Sequence, residues 1–107
     1  MTSSEELGEL MVTAYNYQKQ GQYSSAIQSW NVLVNSKSAD NGLKANAHIN
    51  LGHLHQQQGN FDLAHESMAS AIKANPNSAE AYYCLAYMEQ QKENFNKAIE
   101  YFECALK

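Results

Sequence analysis

The feature that most constrains the fold of this 107-residue chain is an internal repeat. Leu51 aligns with Leu85 and Ala64 aligns with Ala98, so the second and third parts of the chain match at an offset of 34 positions. A fixed period of this length is typical of stacked supersecondary units, in which each unit packs only on its neighbours. Proteins built this way mostly offer extended binding surfaces, so the period bears on function as well as on fold.

The first part of the chain carries a third copy of the pattern. Gly21 corresponds to Gly59 at an offset of 38, which leaves about four extra residues between the first two units. We place them in a linker near 36–42, whose Asp-Asn-Gly ending is a turn signal. The sequence therefore predicts one domain, 1–107, with repeats of about 7–44, 45–78 and 79–107.

Each repeat reads as two helices joined by a tight turn. Glycine separates two apolar-periodic runs at Gly21 and Gly59, and Glu93 takes this place in the third repeat. Small residues recur at Ala14, Gly52 and Ala86, where they allow two helices to approach closely. The expected helices are about 5–20, 23–36, 44–58, 61–74, 79–92 and 95–106.

The repeated positions resemble the tetratricopeptide repeat (TPR) family, whose pattern is W-x2-L-G-x2-Y, then A-x3-F, then P. The second repeat supplies seven of these positions: His48, Leu51, Gly52, His55, Ala64, Met68 and Pro76. The chain departs from the pattern at Leu10, at His48 and at Glu89, which stands where a tyrosine is usual. The resemblance implies an all-α solenoid of three stacked helix-turn-helix repeats, with about six antiparallel helices in a right-handed superhelix.

Composition and motifs argue against several classes of function. The chain has a net charge of −4 with scattered lysines and no arginine, so the basic stripe of a nucleic-acid-binding protein is missing. There is no apolar run long enough to span a membrane and no leader-like start, so we expect a cytoplasmic protein without membrane association. No nucleophile elbow, phosphate loop or dinucleotide fingerprint is present, so we expect no enzymatic activity and no cofactor.

The histidine, cysteine and glutamate side chains are expected to have structural roles. His53 and His55 are two residues apart on one helix and diverge by about 200°, so we expect no metal site. Cys84 and Cys104 are expected to be reduced thiols, neither with the histidine partner that a catalytic cysteine needs. Four glutamates of the third repeat are expected to form a solvated face: Glu89, Glu93, Glu100 and Glu103.

A second stripe on the first helix of each repeat is the candidate binding site. The spacing i, i+1, i+4, i+7, i+8 keeps the members of each stripe on one helix face. They are Met11, Val12, Tyr15, Gln18 and Lys19; Ile49, Asn50, His53, Gln56 and Gln57; and Tyr83, Cys84, Tyr87, Gln90 and Gln91. In proteins with this resemblance the first helices line a concave groove. We expect Tyr15, His53 and Tyr87 to form one ladder there, and Gln18, Gln56 and Gln90 a second one.

This groove predicts a protein–protein interaction module, an adaptor or scaffold that binds an extended or helical segment of a partner protein. The same side chains could instead pack only against neighbouring repeats. An alternative function is a structural oligomerisation or spacing element with no peptide in the groove. Relatives that clamp the C-terminal carboxylate of heat-shock chaperones use basic groove residues, whereas this chain has Met11, Tyr15, Asn50, Glu80 and Cys84 in those slots. We therefore expect no carboxylate clamp.

The last helix predicts a second contact surface. Its apolar residues Ile99, Phe102 and Leu106 recur on one face, and part of that face has no following repeat to meet. Uncapped repeat ends tend to associate. We expect a homo-oligomer that forms through this end.

Overall fold

A computed structural model describes residues 4–107, and the predicted start of the domain at residue 1 lies outside them. The described residues form six helices and no strand: α1 (Ser4–Lys19), α2 (Tyr23–Val34), α3 (Asn41–Gln57), α4 (Phe61–Ala74), α5 (Ala79–Gln91) and α6 (Phe95–Ala105). They pair as three hairpins, α1 with α2, α3 with α4 and α5 with α6, and each hairpin packs on the next. The predicted all-α solenoid of three helix-turn-helix repeats is confirmed.

The turn inside each hairpin has the same backbone geometry. In the second repeat the Gly59 N–H donates to the Gln56 carbonyl at 3.0 Å, and the Asn60 N–H donates to the His55 carbonyl at 2.8 Å. This pair of bonds is the Schellman arrangement, which requires a left-handed residue after the helix. Gly59 has φ +80° and Gly21 has φ +75°. The third repeat makes the same turn at Glu93, with φ +62°, in agreement with the role that the sequence assigned to it.

The linker between the first two repeats differs from the prediction. α2 ends at Val34, and α3 begins at Asn41 rather than near residue 44. The Asp-Asn-Gly segment is a helix start and not a turn, because the Asp40 carboxylate accepts the Leu43 N–H at 2.8 Å as an N-cap. Most of the extra residues therefore lengthen α3 at its N-terminus, and the linker is shorter than 36–42.

The core is divided between the two junctions of the stack. One buried cluster joins the first repeat to α3 around Trp30, Leu33 and Leu54, and a second joins α3 and α4 to α5 around Met68 and Leu85. Close approach inside a hairpin depends on the small residues. A Cβ built at Gly52 would lie 2.6 Å from the Met68 Cε, so that side chain occupies the space that glycine leaves. No helix among residues 4–107 is long and apolar enough to cross a membrane.

Candidate functional site

Side chains of the first helices α1, α3 and α5 connect across the repeat junctions. At the first junction, the Nδ2 groups of Asn46 and Asn50 donate to the Tyr15 hydroxyl at 3.3 and 3.4 Å. The Tyr15 ring also packs edge-on against Trp30, with 5.0 Å between the ring centroids. Tyr15 is therefore held between α2 and α3, although 39% of its surface stays exposed.

The equivalent position in the second repeat makes the equivalent contact. The His53 Nε2 lies 3.9 Å from the Cys84 Sγ and 4.0 Å from the Glu80 Oε1, both on α5. Tyr15 and His53 thus extend in the same direction, each to the next first helix along the stack. The repeat geometry thus brings Cys84 beside a histidine, a contact between two residues that the sequence alone does not connect.

This cysteine–histidine pair is not a nucleophilic centre. Burial, with a smaller effect of the nearby Glu80 carboxylate, raises the pKa of the Cys84 thiol to about 11. Cysteine reacts and binds metals as the thiolate, which is scarce at neutral pH when the pKa is this high. Cys84 and Cys104 are both free thiols.

The first helix of the third repeat, α5, carries aromatic side chains of the stripe at the surface. The Tyr87 ring meets Phe102 edge-on at 5.6 Å, and the Tyr83 ring lies 6.0 Å from the same side chain. Tyr87 still exposes 56% of its surface and Tyr83 exposes 38%. The described residues provide no further first helix for Tyr87 to reach.

Two predicted groove residues make contacts inside the stack. Ile49 is only 6% exposed and belongs to the second core cluster, because the first residue of its stripe faces the junction with α5. The Gln18 Oε1 accepts the indole N–H of the fully buried Trp30 at 2.6 Å, so its acceptor is occupied. Ile49 therefore packs within the stack, whereas Gln18 is half-buried and still lines a surface cleft.

The other stripe residues reach the surface to different extents. The exposed ones are Val12, Tyr15, Lys19, Gln57, Tyr83, Tyr87, Gln90 and Gln91. The half-buried ones are Met11, Asn50, His53, Gln56 and Cys84. The glutamine side chains cluster toward the C-terminal ends of the helices. Two clefts open at that edge, one at each junction.

The clefts have matching linings. The larger has a volume of about 530 Å³ and is lined by Tyr15, Gln18, Lys19, Tyr23 and Gln57. The smaller has a volume of about 220 Å³ and is lined by Gln56, Phe61, Met88, Gln91 and Lys92. Each one combines an aromatic residue that begins a second helix with glutamines from two successive first helices. The repeat therefore produces two similar clefts along one edge.

A buried acidic residue is the main feature that sequence reasoning missed. The sequence predicts Glu89 in a solvated face, but this prediction is wrong, because Glu89 is only 5% exposed. Its carboxylate accepts the Asn94 Nδ2 at 2.9 Å and lies 3.5 Å from the His65 Nε2, so it joins the second and third repeats. The sequence does indicate that this side chain is buried, because Glu89 occupies a position where the family pattern has a packing tyrosine.

The remaining histidines have packing roles. Burial, and to a smaller degree the charge of Lys44, lowers the pKa of His48 below its ordinary value. The Nδ1 of His55 is buried and has no hydrogen-bond partner among residues 4–107. No three histidine, cysteine or acidic side chains of the described chain come together as a metal site.

Comparisons with known proteins agree with this architecture. The second TPR of Spaghetti (RPAP3), bound to the HSP90 peptide SRMEEVD, has a TM-score of 0.78 at 17% identity over 94% of this chain and 89% of that one. The Yersinia enterocolitica type III secretion chaperone SycD, with a peptide of the translocator YopD, has a TM-score of 0.83 at 23% identity over 96% and 76%. PcrH, with the chaperone-binding region of PopB, has 0.82 at 20% over 96% and 80%.

At these identities the structures share a fold with the chain. Comparison with curated proteins finds no match. A family model described as Tetratricopeptide repeat matches residues 49–107, which is more than half of the sequence. With three hairpins in register and the motif residues at equivalent positions, this chain belongs to the tetratricopeptide repeat family.

Proposed function

We propose that the chain is a protein–protein interaction module that holds an extended or helical segment of a partner protein against its first helices. The observation that carries the proposal is the continuous path of side chains across the repeats. Tyr15 reaches Asn50 on α3, and His53 on the same helix reaches Cys84 on α5. These contacts support the proposal that the exposed members of the three stripes form one surface, on which a single ligand segment can contact all three repeats.

The chemistry of this surface suits a peptide. Tyr83 and Tyr87 offer large, stiff and partly apolar contact areas with a polar tip, which are common at protein interfaces. Exposed glutamines such as Gln90 and Gln91 can each donate to and accept from a peptide backbone. The structural relatives bind protein segments as well, among them the HSP90 peptide and the YopD peptide. Within residues 4–107 no catalytic constellation competes with this reading.

We further propose that the ligand is not an acidic C-terminal tail. Glu80 stands at one slot of a carboxylate clamp with 63% of its side chain exposed, and it would repel such a tail. Met11, Tyr15 and Cys84 carry no positive charge at neutral pH. Calorimetric titration with the peptide SRMEEVD should give no measurable heat of binding. Micromolar affinity for this peptide would contradict the proposal.

Selection from a peptide library tests the main proposal and does not require the natural partner. Random dodecapeptides displayed on phage are selected on the wild-type chain, and the selected peptides are titrated against variants. Tyr87→Ala should weaken binding by roughly 1–4 kcal/mol, the range of a hot-spot residue. Val32→Ala is the matched control, because Val32 is equally exposed at 55% but lies on α2. Circular dichroism verifies that both variants keep their helices.

Two outcomes would overturn the proposal. Selected peptides that bind Tyr87→Ala and the wild type equally well would show that they bind elsewhere. Failure to select any specific peptide would favour the alternative, a structural oligomerisation element with an idle groove. The exposed apolar side chains of Ile99 and Leu106, at 54% and 76%, are the observation that favours that second candidate.

A further inference from the structure

The first helix of the third repeat carries a row of side chains that neither other first helix has. Glu80, Tyr83 and Tyr87 have the spacing i, i+3, i+7, which places them along one face of α5, and we call them the α5 row. The equivalent positions of the first two repeats contain no acidic residue and only one tyrosine: Gly8, Met11, Tyr15, Asn46, Ile49 and His53. The third repeat alone therefore combines a carboxylate with two aromatic rings on this face.

The Glu80 carboxylate is accessible to a ligand. Its side chain is 63% exposed, and its Oε1 lies 4.0 Å from the His53 Nε2, which is too far for a hydrogen bond. The equivalent residue in the second repeat, Asn46, is half-buried and donates its Nδ2 group to the Tyr15 hydroxyl at 3.3 Å. The junction between α3 and α5 thus presents an acceptor at the surface, whereas the junction between α1 and α3 uses its polar group internally.

The Phe102 ring on α6 holds the two tyrosines of the α5 row in place. It contacts Tyr87 edge-on at 5.6 Å and Tyr83 at 6.0 Å between ring centroids, and both tyrosines keep exposed surface. Tyr15 and His53, at the position of Tyr87 in the first two repeats, also stay partly exposed although the next first helix contacts each of them. Exposure at this position is therefore a property of the repeat and does not depend on what lies beyond α6.

Both components of the α5 row attract positive charge. A carboxylate pairs with an ammonium or guanidinium group, and the face of a tyrosine ring attracts the same cations through its quadrupole. The long stem of a lysine or arginine can lie along aromatic rings while its charged head reaches a carboxylate. The stripes of α3 and α5 contain no lysine, and Lys19 belongs to α1 in the first repeat. The α5 row is therefore complementary to a cationic side chain.

We propose that the α5 row determines the specificity of the ligand surface, and that the partner segment carries a lysine or arginine whose charged head pairs with Glu80. The stem of that side chain lies on Tyr83 and Tyr87. This inference rests on the proposed function and adds the chemistry of the ligand at one position. The contact also fixes the register of the segment on the stack, because neither other repeat offers the same combination of side chains.

A double-mutant cycle on a selected peptide tests the pairing. Dodecapeptides selected from a random library on the wild-type chain should share a lysine or arginine at one position. In calorimetric titration, Glu80→Gln should weaken such a peptide about three- to tenfold. When methionine replaces the basic residue of the peptide, Glu80→Gln should have no further effect. An equal loss with the basic peptide and the methionine peptide would overturn the pairing.

An exposed glutamate outside the α5 row provides the matched control. Glu66 is also exposed but lies on the second helix α4, so Glu66→Gln removes the same charge and should leave binding unchanged. An equal loss from Glu66→Gln and Glu80→Gln would overturn the inference, because basic peptides would then respond to the net charge of −4 and not to the row. Circular dichroism at 222 nm checks that both variants are folded.

Variants of Tyr83 test the aromatic part of the row. Tyr83→Phe keeps the ring, whereas Tyr83→Leu replaces it with an apolar side chain that has no π face. The basic peptide should lose about two- to fivefold in affinity with Tyr83→Leu and should be unaffected by Tyr83→Phe. The same loss with the methionine peptide would show that the ring provides only apolar contact and would overturn its role in cation binding.

The peptide selection separates this inference from the proposed function. Specific peptides that lose affinity with Tyr87→Ala but share no basic residue would overturn the inference and leave the interaction surface standing. Failure to select any specific peptide would overturn both. Peptides that share a basic residue and respond to Glu80→Gln but not to Glu66→Gln are the expected result.

Discussion

Replacing Glu93 by glycine should stabilise this protein. Glu93 has φ +62° in the turn between α5 and α6, where the two other hairpins have Gly21 and Gly59. The Cβ of a non-glycine residue costs about 1–2 kcal/mol in this conformation. Glycine loses more freedom on folding, which offsets about 0.4–1 kcal/mol of that gain. The net increase in the free energy of unfolding is therefore about 1 kcal/mol.

Thermal and urea denaturation followed by circular dichroism measure this change. For a domain of this size about 1 kcal/mol corresponds to a rise of roughly 4–8 °C in Tm. Glu93→Ala is the matched control, because it removes the carboxylate but keeps the Cβ and should give no such gain. Gly59→Ala is the reverse change at φ +80° and should destabilise by a similar amount.

A lower stability of Glu93→Gly, or a gain from Glu93→Ala as large as that from glycine, would contradict this prediction. The first outcome would mean that the Glu93 side chain contributes more than the backbone strain costs. The second would mean that removal of a negative charge, and not the left-handed backbone, is responsible. Comparison of the two variants therefore separates the effect of backbone strain on stability from the effect of the negative charge.

Three further changes have defined outcomes. Asp40→Ala removes the carboxylate that accepts the Leu43 N–H and should cost about 1 kcal/mol in urea denaturation, whereas Asp40→Asn should retain most of the cap. Gln18→Leu leaves the indole N–H of Trp30 buried without an acceptor and should cost about 1–3 kcal/mol, with a change in tryptophan fluorescence. Burial lowers the pKa of His48 in the folded state, so the unfolded state binds more protons and stability should fall as the pH drops below 6.5; a pH series of His48→Gln should show a flatter slope.

Local sequence patterns determined the helices and their turns. Apolar periodicity and the glycines at 21 and 59 placed six helices, and the observed ends differ by three residues at most. The local propensity of the Asp-Asn-Gly segment predicts a turn, but in the structure the Asp40 carboxylate caps α3. Helix N-caps and turns favour the same residue types. Only the direction of the chain that follows decides whether such a segment forms a cap or a turn.

Contacts between repeats could not be deduced in the same way. The meeting of Cys84 with His53 and the burial of Glu89 beside His65 depend on how one hairpin rotates against the next. The sequence places each residue on a face of its own helix but does not say which neighbour that face meets. For the same reason Ile49 was assigned to the groove and lies in the core.

The 34-residue period by itself determined that this chain is a stack of helical hairpins, because no unit of that size can bury its apolar face alone. Only the tertiary structure decided which stripe residues stay exposed and which are buried between repeats. Those outcomes depend on distances between helices that are far apart in the sequence, and packing between repeats sets those distances.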